Sequence, residues 1–154
     1  MINDLIANTG YEALISGAAA ACISQLIKFV IFTMRTGKIN FKIFTTTGGM
    51  PSAHSAAVVA LSTTVGIIKG FDSVTFAIAA GFSMIIMYDA AGLRRAAGKT
   101  AASLNRIMED FYKHDVQAIG PKLKELLGHT PFEVIVGAAF GLFWAYYFHY
   151  LLLR

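Results

Sequence analysis

The sequence predicts an all-α bundle embedded in a membrane, with about four transmembrane helices and amphipathic helices on its cytoplasmic face. Three observations carry this reading. Hydrophobic residues make up 56% of the 154 and charged residues 14%, at a mean hydropathy of +0.60, far from the balance of a soluble globule. Four apolar stretches recur, each reaching or approaching the roughly 20 residues that cross a hydrocarbon core of about 30 Å. The cations gather in the connections between these stretches. Residues 1–154 are expected to form one membrane-embedded domain.

Met1 to Gly10 carries Asp4 but no Lys or Arg, and no cleavage-like break follows the first apolar run, which is therefore expected to remain as a permanent span. That span is Tyr11 to Thr33, with Gln25 and Lys28 toward its end. A charge at mid-bilayer costs about 2.5 to 3.5 kcal/mol, but Lys28 stands near enough to the end to snorkel. A loop from Met34 to Met50 follows, with Arg35, Lys38, Lys42 and the Gly48-Gly49 pair. The glycines permit a sharp bend, and Pro51 suits a first helical position, so the second apolar segment is predicted over Pro51 to Lys69. Its Ser52, His54, Ser55, Ser62, Thr63 and Thr64 predict burial among other helices.

Gly70-Phe71-Asp72 makes a tight connection to a third span, Ser73 to Tyr88. The charged, small-residue stretch Asp89 to Lys99 is expected to connect it to a surface helix, in which Leu104, Ile107, Met108, Phe111 and Tyr112 recur at helical spacing. Pro121 to Leu127 reads as a short helix ended by Gly128. Phe132 to Leu153 is the last span, with Trp144, Tyr146, Tyr147 and Tyr150 as an interfacial belt. Ten of the thirteen Lys and Arg residues fall in the connections Met34 to Met50 and Asp89 to Pro131. The positive-inside rule places those connections in the cytoplasm of a multi-pass protein of the cell (inner) membrane. The single cysteine, Cys22, excludes an intrachain disulfide, and the cations lack the interleaved aromatics of a nucleic-acid module.

This topology brings two histidines to one face. His54 opens the second segment just after the Gly-Gly-Met-Pro-Ser-Ala turn, where a helix N-terminus favours an anion such as phosphate. In His129-Thr130-Pro131-Phe132-Glu133, Thr130 and Glu133 make a capping box with Pro131 at the first helical position. The box does not account for His129. A histidine four residues before a carboxylate can have its ring oriented by it, leaving the other nitrogen free as nucleophile or base. Taken singly, His54 reads as a buried hydroxyl partner in a helix bundle, which a lone histidine near a membrane surface more often is than catalytic; two histidines on one face, each at a helix start beside basic residues, are less easily read that way. Arg94, Arg95 and Lys99 serve either as topology-setting cations or as phosphate ligands. No third histidine or cysteine stands where it would complete a zinc set, so no metal or other cofactor is expected.

These residues resemble a known superfamily. Pro51-Ser52-Ala53-His54 is similar to the Pro-Ser-Gly-His motif of the type 2 phosphatidic acid phosphatases and vanadium haloperoxidases. His129-Thr130-Pro131-Phe132-Glu133-Val134, followed by Gly137, resembles the His-x-Pro-x-Asp-Val-x-x-Gly motif with Glu for Asp. Lys28 and Arg35 resemble the Lys-x6-Arg-Pro motif, with Thr36 in place of Pro. The whole chain looks like the short, divergent branch of that superfamily. The resemblance implies a metal-independent lipid phosphatase, in which His129 is the nucleophile, Glu133 its orienter and His54 the acid and base. Lys28, Arg35 and Ser52 would bind the phosphate. The superfamily's remaining arginine falls at Leu123, between Lys122 and Lys124, and Arg94 or Arg95 is expected to replace it.

The expected substrate is a lipid phosphate of the cytoplasmic leaflet: phosphatidate, phosphatidylglycerol phosphate or an isoprenoid phosphate. Four spans are few for a closed lipid site, which makes a homodimer an expectation. The rival readings are a non-catalytic binder or transporter of a phosphate-bearing molecule, and a structural membrane protein.

Overall fold

The computed structural model describes residues 5–45, 49–111, 123 and 128–152, and among them the chain is helical with no strand. Five α-helices follow in order: α1 Gly10–Thr36, α2 Ala53–Lys69, α3 Val74–Ala91, α4 Leu93–Phe111 and α5 Pro131–Tyr147. A 3-10 helix, Phe41–Thr45, lies between α1 and α2, and a π-helical turn, Phe148–Leu152, follows α5. The helical stretches beginning at Gly10, Val74 and Pro131 are long and apolar enough to cross a membrane, and α2 is a shorter apolar helix. At 17 residues α2 extends about 26 Å.

The α2 helix is the hub. α1, α3 and α5 all lie against α2. Its buried residues, among them Ala53, Ser55, Ala56, Ala60, Ser62, Thr63, Thr64 and Gly66, are small or hydroxylic, and such side chains let backbones approach closely where lipid supplies no hydrophobic drive. A Cβ at Gly137 of α5 would run into the Ser52 carbonyl oxygen, and one at Gly141 into that of Ala56. On the other side, a Cβ at Gly17 of α1 would lie 3.0 Å from the Ala57 carbonyl oxygen. The Ser83 hydroxyl of α3 donates to the Val58 carbonyl at 2.9 Å. Beyond Ser83 and Ala90, α3 is outward-facing, with Val74, Ile78, Phe82 and Ile85 exposed as on a lipid-facing helix.

A polar knot ties the far end of the bundle. Glu12 is fully buried, its Oε1 2.6 Å from His149 Nδ1 while its Oε2 accepts the Asn8 N–H at 2.6 Å. Close by, Trp144 Nε1 donates to the Ser16 carbonyl at 3.1 Å, and the Thr64 and Ser16 hydroxyls are bonded at 3.1 Å. These bonds join α1, α2 and the end of the chain.

Three expectations are corrected. Pro51 is not the first helical residue: Ser52 is the N-cap of α2 and Pro51 precedes it, since the Ser52 hydroxyl supplies the acceptor that a helix start needs. The stretch Asp89 to Lys99 is helical rather than a charged connection. α3 runs to Ala91, only Gly92 interrupts, and the amphipathic α4 begins at Leu93, because Ala, Leu, Arg and Lys are strong helix formers and a single interior Gly98 costs only about 1 kcal/mol. Lys28 does not snorkel; it is buried. The short helix predicted over Pro121 to Leu127 falls outside the described residues apart from Leu123. That residue's N–H and carbonyl are both bound by the Asn105 carboxamide of α4, at 2.9 Å each.

Candidate active site

Two helix starts meet here. At the head of α2 the Ser52 side chain accepts hydrogen bonds from the Ser55 N–H at 3.4 Å and the Ser55 hydroxyl at 3.0 Å. At the head of α5, Thr130 caps the helix: its hydroxyl accepts from the Glu133 N–H at 3.3 Å, and Glu133 Oε2 accepts from the Thr130 N–H at 3.1 Å. A backbone bond then joins the two, from the Ser52 N–H to the Glu133 carbonyl at 3.2 Å. With Gly137 against the Ser52 backbone, the start of α2 is fixed relative to the first turn of α5.

On this scaffold sit the two histidines. His129 is 4% exposed, and its Nδ1 lies 3.0 Å from the same Glu133 Oε2 that accepts the Thr130 N–H. A carboxylate only accepts, so Nδ1 carries a proton, and in the neutral ring the lone pair is then on Nε2. Glu133 thus serves both as cap and as ring orienter. His54, in the first turn of α2, is exposed, and its ring centroid is 6.4 Å from that of His129. One ring is buried and held in one orientation by a carboxylate; the other is exposed.

Lys28 reaches this cluster from α1. It is 7% exposed and lies within Coulombic range of Glu133. Its stem runs along Gly49, where a Cβ would come 3.3 Å from Lys28 Cδ and where φ is +82°, so two constraints favour glycine at this turn. A buried ammonium and two helix N-termini, set against one carboxylate, make a locally positive recess suited to an anion. Among the described residues no group of three His, Cys, Asp or Glu side chains is arranged to hold a metal ion.

The structure therefore brings Lys28, Ser52, His54, His129 and Glu133 together. Arg35 is exposed in the last turn of α1, about 10.5 Å along the helix from Lys28. Lys99 is exposed on α4. Arg94 and Arg95 occupy the first turn of α4, and their side chains lie outside the described residues. Sequence reasoning missed Gly49 as the surface that carries Lys28, and the paired hydroxyl of Ser55. The adjacency of a glycine turn to a lysine-bearing span was the available signal for the first. Nothing local marked the second.

With this geometry in view, comparison with known proteins is informative. The family model described as the Divergent PAP2 family matches residues 9–144. The uncharacterized membrane protein YuiD of Bacillus subtilis (strain 168) is 43% identical to this chain over 139 residues, which is 84% of this chain and 88% of that protein. No solved structure matches. The matched span takes in both helix starts, both histidines, Glu133 and Lys28.

Proposed function

We propose, from the premise that the chain belongs to the Divergent PAP2 family, that it is a metal-independent membrane phosphatase acting on a lipid phosphate through a phosphohistidine. The observation that carries the proposal is the His129–Glu133 contact at 3.0 Å with the His54 ring 6.4 Å away. It supplies a nucleophile with an oriented ring and, beside it, a separate acid and base.

In the first step the Nε2 lone pair of His129 attacks phosphorus. The bond from phosphorus to the alkoxy oxygen breaks, and protonated His54 gives its proton to the leaving oxygen. In the second, neutral His54 takes a proton from water, the hydroxide attacks phosphorus, and the P–N bond breaks to return the lone pair to Nε2. The sum is one lipid phosphate and one water converted to one alcohol and one inorganic phosphate. Nδ1–H stays on Glu133 throughout, and the carboxylate balances the positive charge that the ring gains on attack. Lys28, Arg35, the Ser52 hydroxyl and the two helix N-termini would stabilise the equatorial oxygens, with Arg94, Arg95 and Lys99 as the cations that α4 can contribute.

The charge bias supports a site at the cytoplasmic surface of the cell membrane with substrate drawn from that leaflet, and the small number of spans supports a homodimer. Leu123, exposed where the superfamily carries an arginine, favours one other reading: a phosphate binder or transporter that has lost turnover. Phosphate release from a panel of lipid phosphates by purified protein separates the two, and vanadate binding without turnover supports the binder. Trapping labelled phosphate on the protein tests the mechanism. Wild type should label on histidine and His129→Ala should not; full labelling of the mutant refutes the assigned nucleophile.

A further inference from the structure

Only Gly92 separates the end of α3 at Ala91 from the start of α4 at Leu93, so the first turn of α4 stands at the edge of a membrane-crossing stretch. α4 runs for 19 residues, about 28 Å. At about 100° per residue, Leu104, Ile107 and Phe111 fall within an arc of about 60°, and they are 44%, 51% and 83% exposed. The exposed Lys99 and Arg106 lie about 110° to 130° from the middle of that ridge. Along its length α4 carries Arg94, Arg95, Lys99 and Arg106 against Glu109 and Asp110. A narrow apolar ridge, a cationic polar face and low overall hydrophobicity mark a helix that lies in a membrane interface, and the excess of cations matches anionic headgroups. Three large side chains fall far short of the roughly 20 to 30 residues a side that a stable protein interface uses.

On the other flank of α4, about 130° from the ridge, Asn105 is buried. Its Nδ2 donates to the Leu123 carbonyl and its Oδ1 accepts the Leu123 N–H, at 2.9 Å each, so one side chain holds both backbone groups of one residue. Leu123 precedes His129 by six residues, a stretch that can span at most about 22 Å. The seat of α4 thereby bounds where the chain enters His129.

We infer that α4 docks on the anionic lipid surface of the membrane through Leu104, Ile107 and Phe111, and that Asn105 passes this seating through Leu123 to His129. The lipid is a bystander, a diacyl lipid with an anionic headgroup and no phosphate monoester, and not the substrate. The docking stands on α4 itself; its effect on turnover rests on the phosphatase reading. A docked α4 holds Leu123 in one place, and turnover is highest in that state.

A nitrobenzoxadiazole dye on Ile107→Cys, with Cys22 replaced by Ser, reports the docking. In vesicles of phosphatidylcholine with about 30% phosphatidylserine its emission should shift to the blue and be quenched by nitroxide-bearing lipid. Adding Arg106→Gln should lower the docked-to-undocked ratio about fivefold, the factor that one cation near an anionic surface contributes. Water-like emission with and without phosphatidylserine overturns the docking, and disulfide-linked pairs of unlabelled Ile107→Cys protein formed equally in both lipids assign the ridge to a second copy instead. Hydrogen exchange in the peptide that contains Leu123 tests the coupling: phosphatidylserine should slow it about tenfold in wild type and not in Ile107→Asn, and equal exchange in both lipids overturns it. Phosphate release from dioctanoyl phosphatidate in detergent micelles should rise about fivefold with phosphatidylserine in wild type and stay flat in Ile107→Asn and Asn105→Ala; a flat wild type overturns the effect on turnover. Lipid-dependent emission and exchange in a wild type that releases no phosphate would leave the docking standing and refute the phosphatase reading instead.

Discussion

Replacing Glu133 with Gln separates its two roles. The carboxylate lies 3.0 Å from His129 Nδ1 and caps α5 through the Thr130 N–H. Gln keeps an oxygen acceptor and is accepted at this position of a capping box, so fold stability should change by less than about 1 kcal/mol. The charge is what disappears. A unit positive charge developing on the ring at 3.0 Å is stabilised by about 5 kcal/mol at an effective dielectric of about 20. The Glu133 side chain is 20% exposed, and screening by the water that reaches it removes about half of this. The remainder, near 3 kcal/mol, corresponds to a fall in turnover of about a hundredfold. The assay is phosphate release from phosphatidate in detergent, run alongside thermal unfolding of the same preparation. A mutant within about threefold of wild-type turnover would refute the charge-balancing role and leave Glu133 as a cap alone.

Gly137→Ala should lower both stability, by about 1 to 3 kcal/mol in a denaturation series, and turnover, because the new methyl meets the Ser52 carbonyl and parts the two helix starts. His149→Leu should cost about 3 to 5 kcal/mol in thermal unfolding by leaving buried Glu12 without its ring partner, and adding Glu12→Gln should restore much of the loss. If the single and double mutants melt alike, the knot is not a paired unit. With Cys22 replaced by Ser, a cysteine at Ala96 of α4 should react with impermeant maleimide in inverted vesicles and not in intact cells; the opposite pattern reverses the topology.

The spans were legible because apolar length is a direct consequence of crossing hydrocarbon, and α1, α3 and α5 fall within a few residues of the predicted stretches. The capping box at Thr130 and the contact of His129 with Glu133 were legible for a different reason: both follow from spacing within one helical turn. What escaped notice depends on side chains meeting across the bundle. Glu12 and His149 are 137 residues apart, and nothing local in either predicts that they share a hydrogen bond. Lys28 looked like a snorkelling residue because the sequence shows its distance from the span's end but not which way it turns; the bare Gly49 surface that takes its stem decides that. The helical character of Asp89 to Lys99 was obscured by its charges, although its alanines favour a helix.

The close contact of α2 with α5 has a mechanical consequence. Ser52, His54, His129 and Glu133 all ride on that one seam, where backbone lies on backbone, so their spacing is that of a rigid plate. Lys28 rides on a different body. α1 lies close against α2 at Gly17, eleven residues before Lys28, or about 16 Å along the helix axis. About a pivot at Gly17, a tilt of α1 by about 5° would carry the Lys28 amine about 1.4 Å toward or away from the histidines.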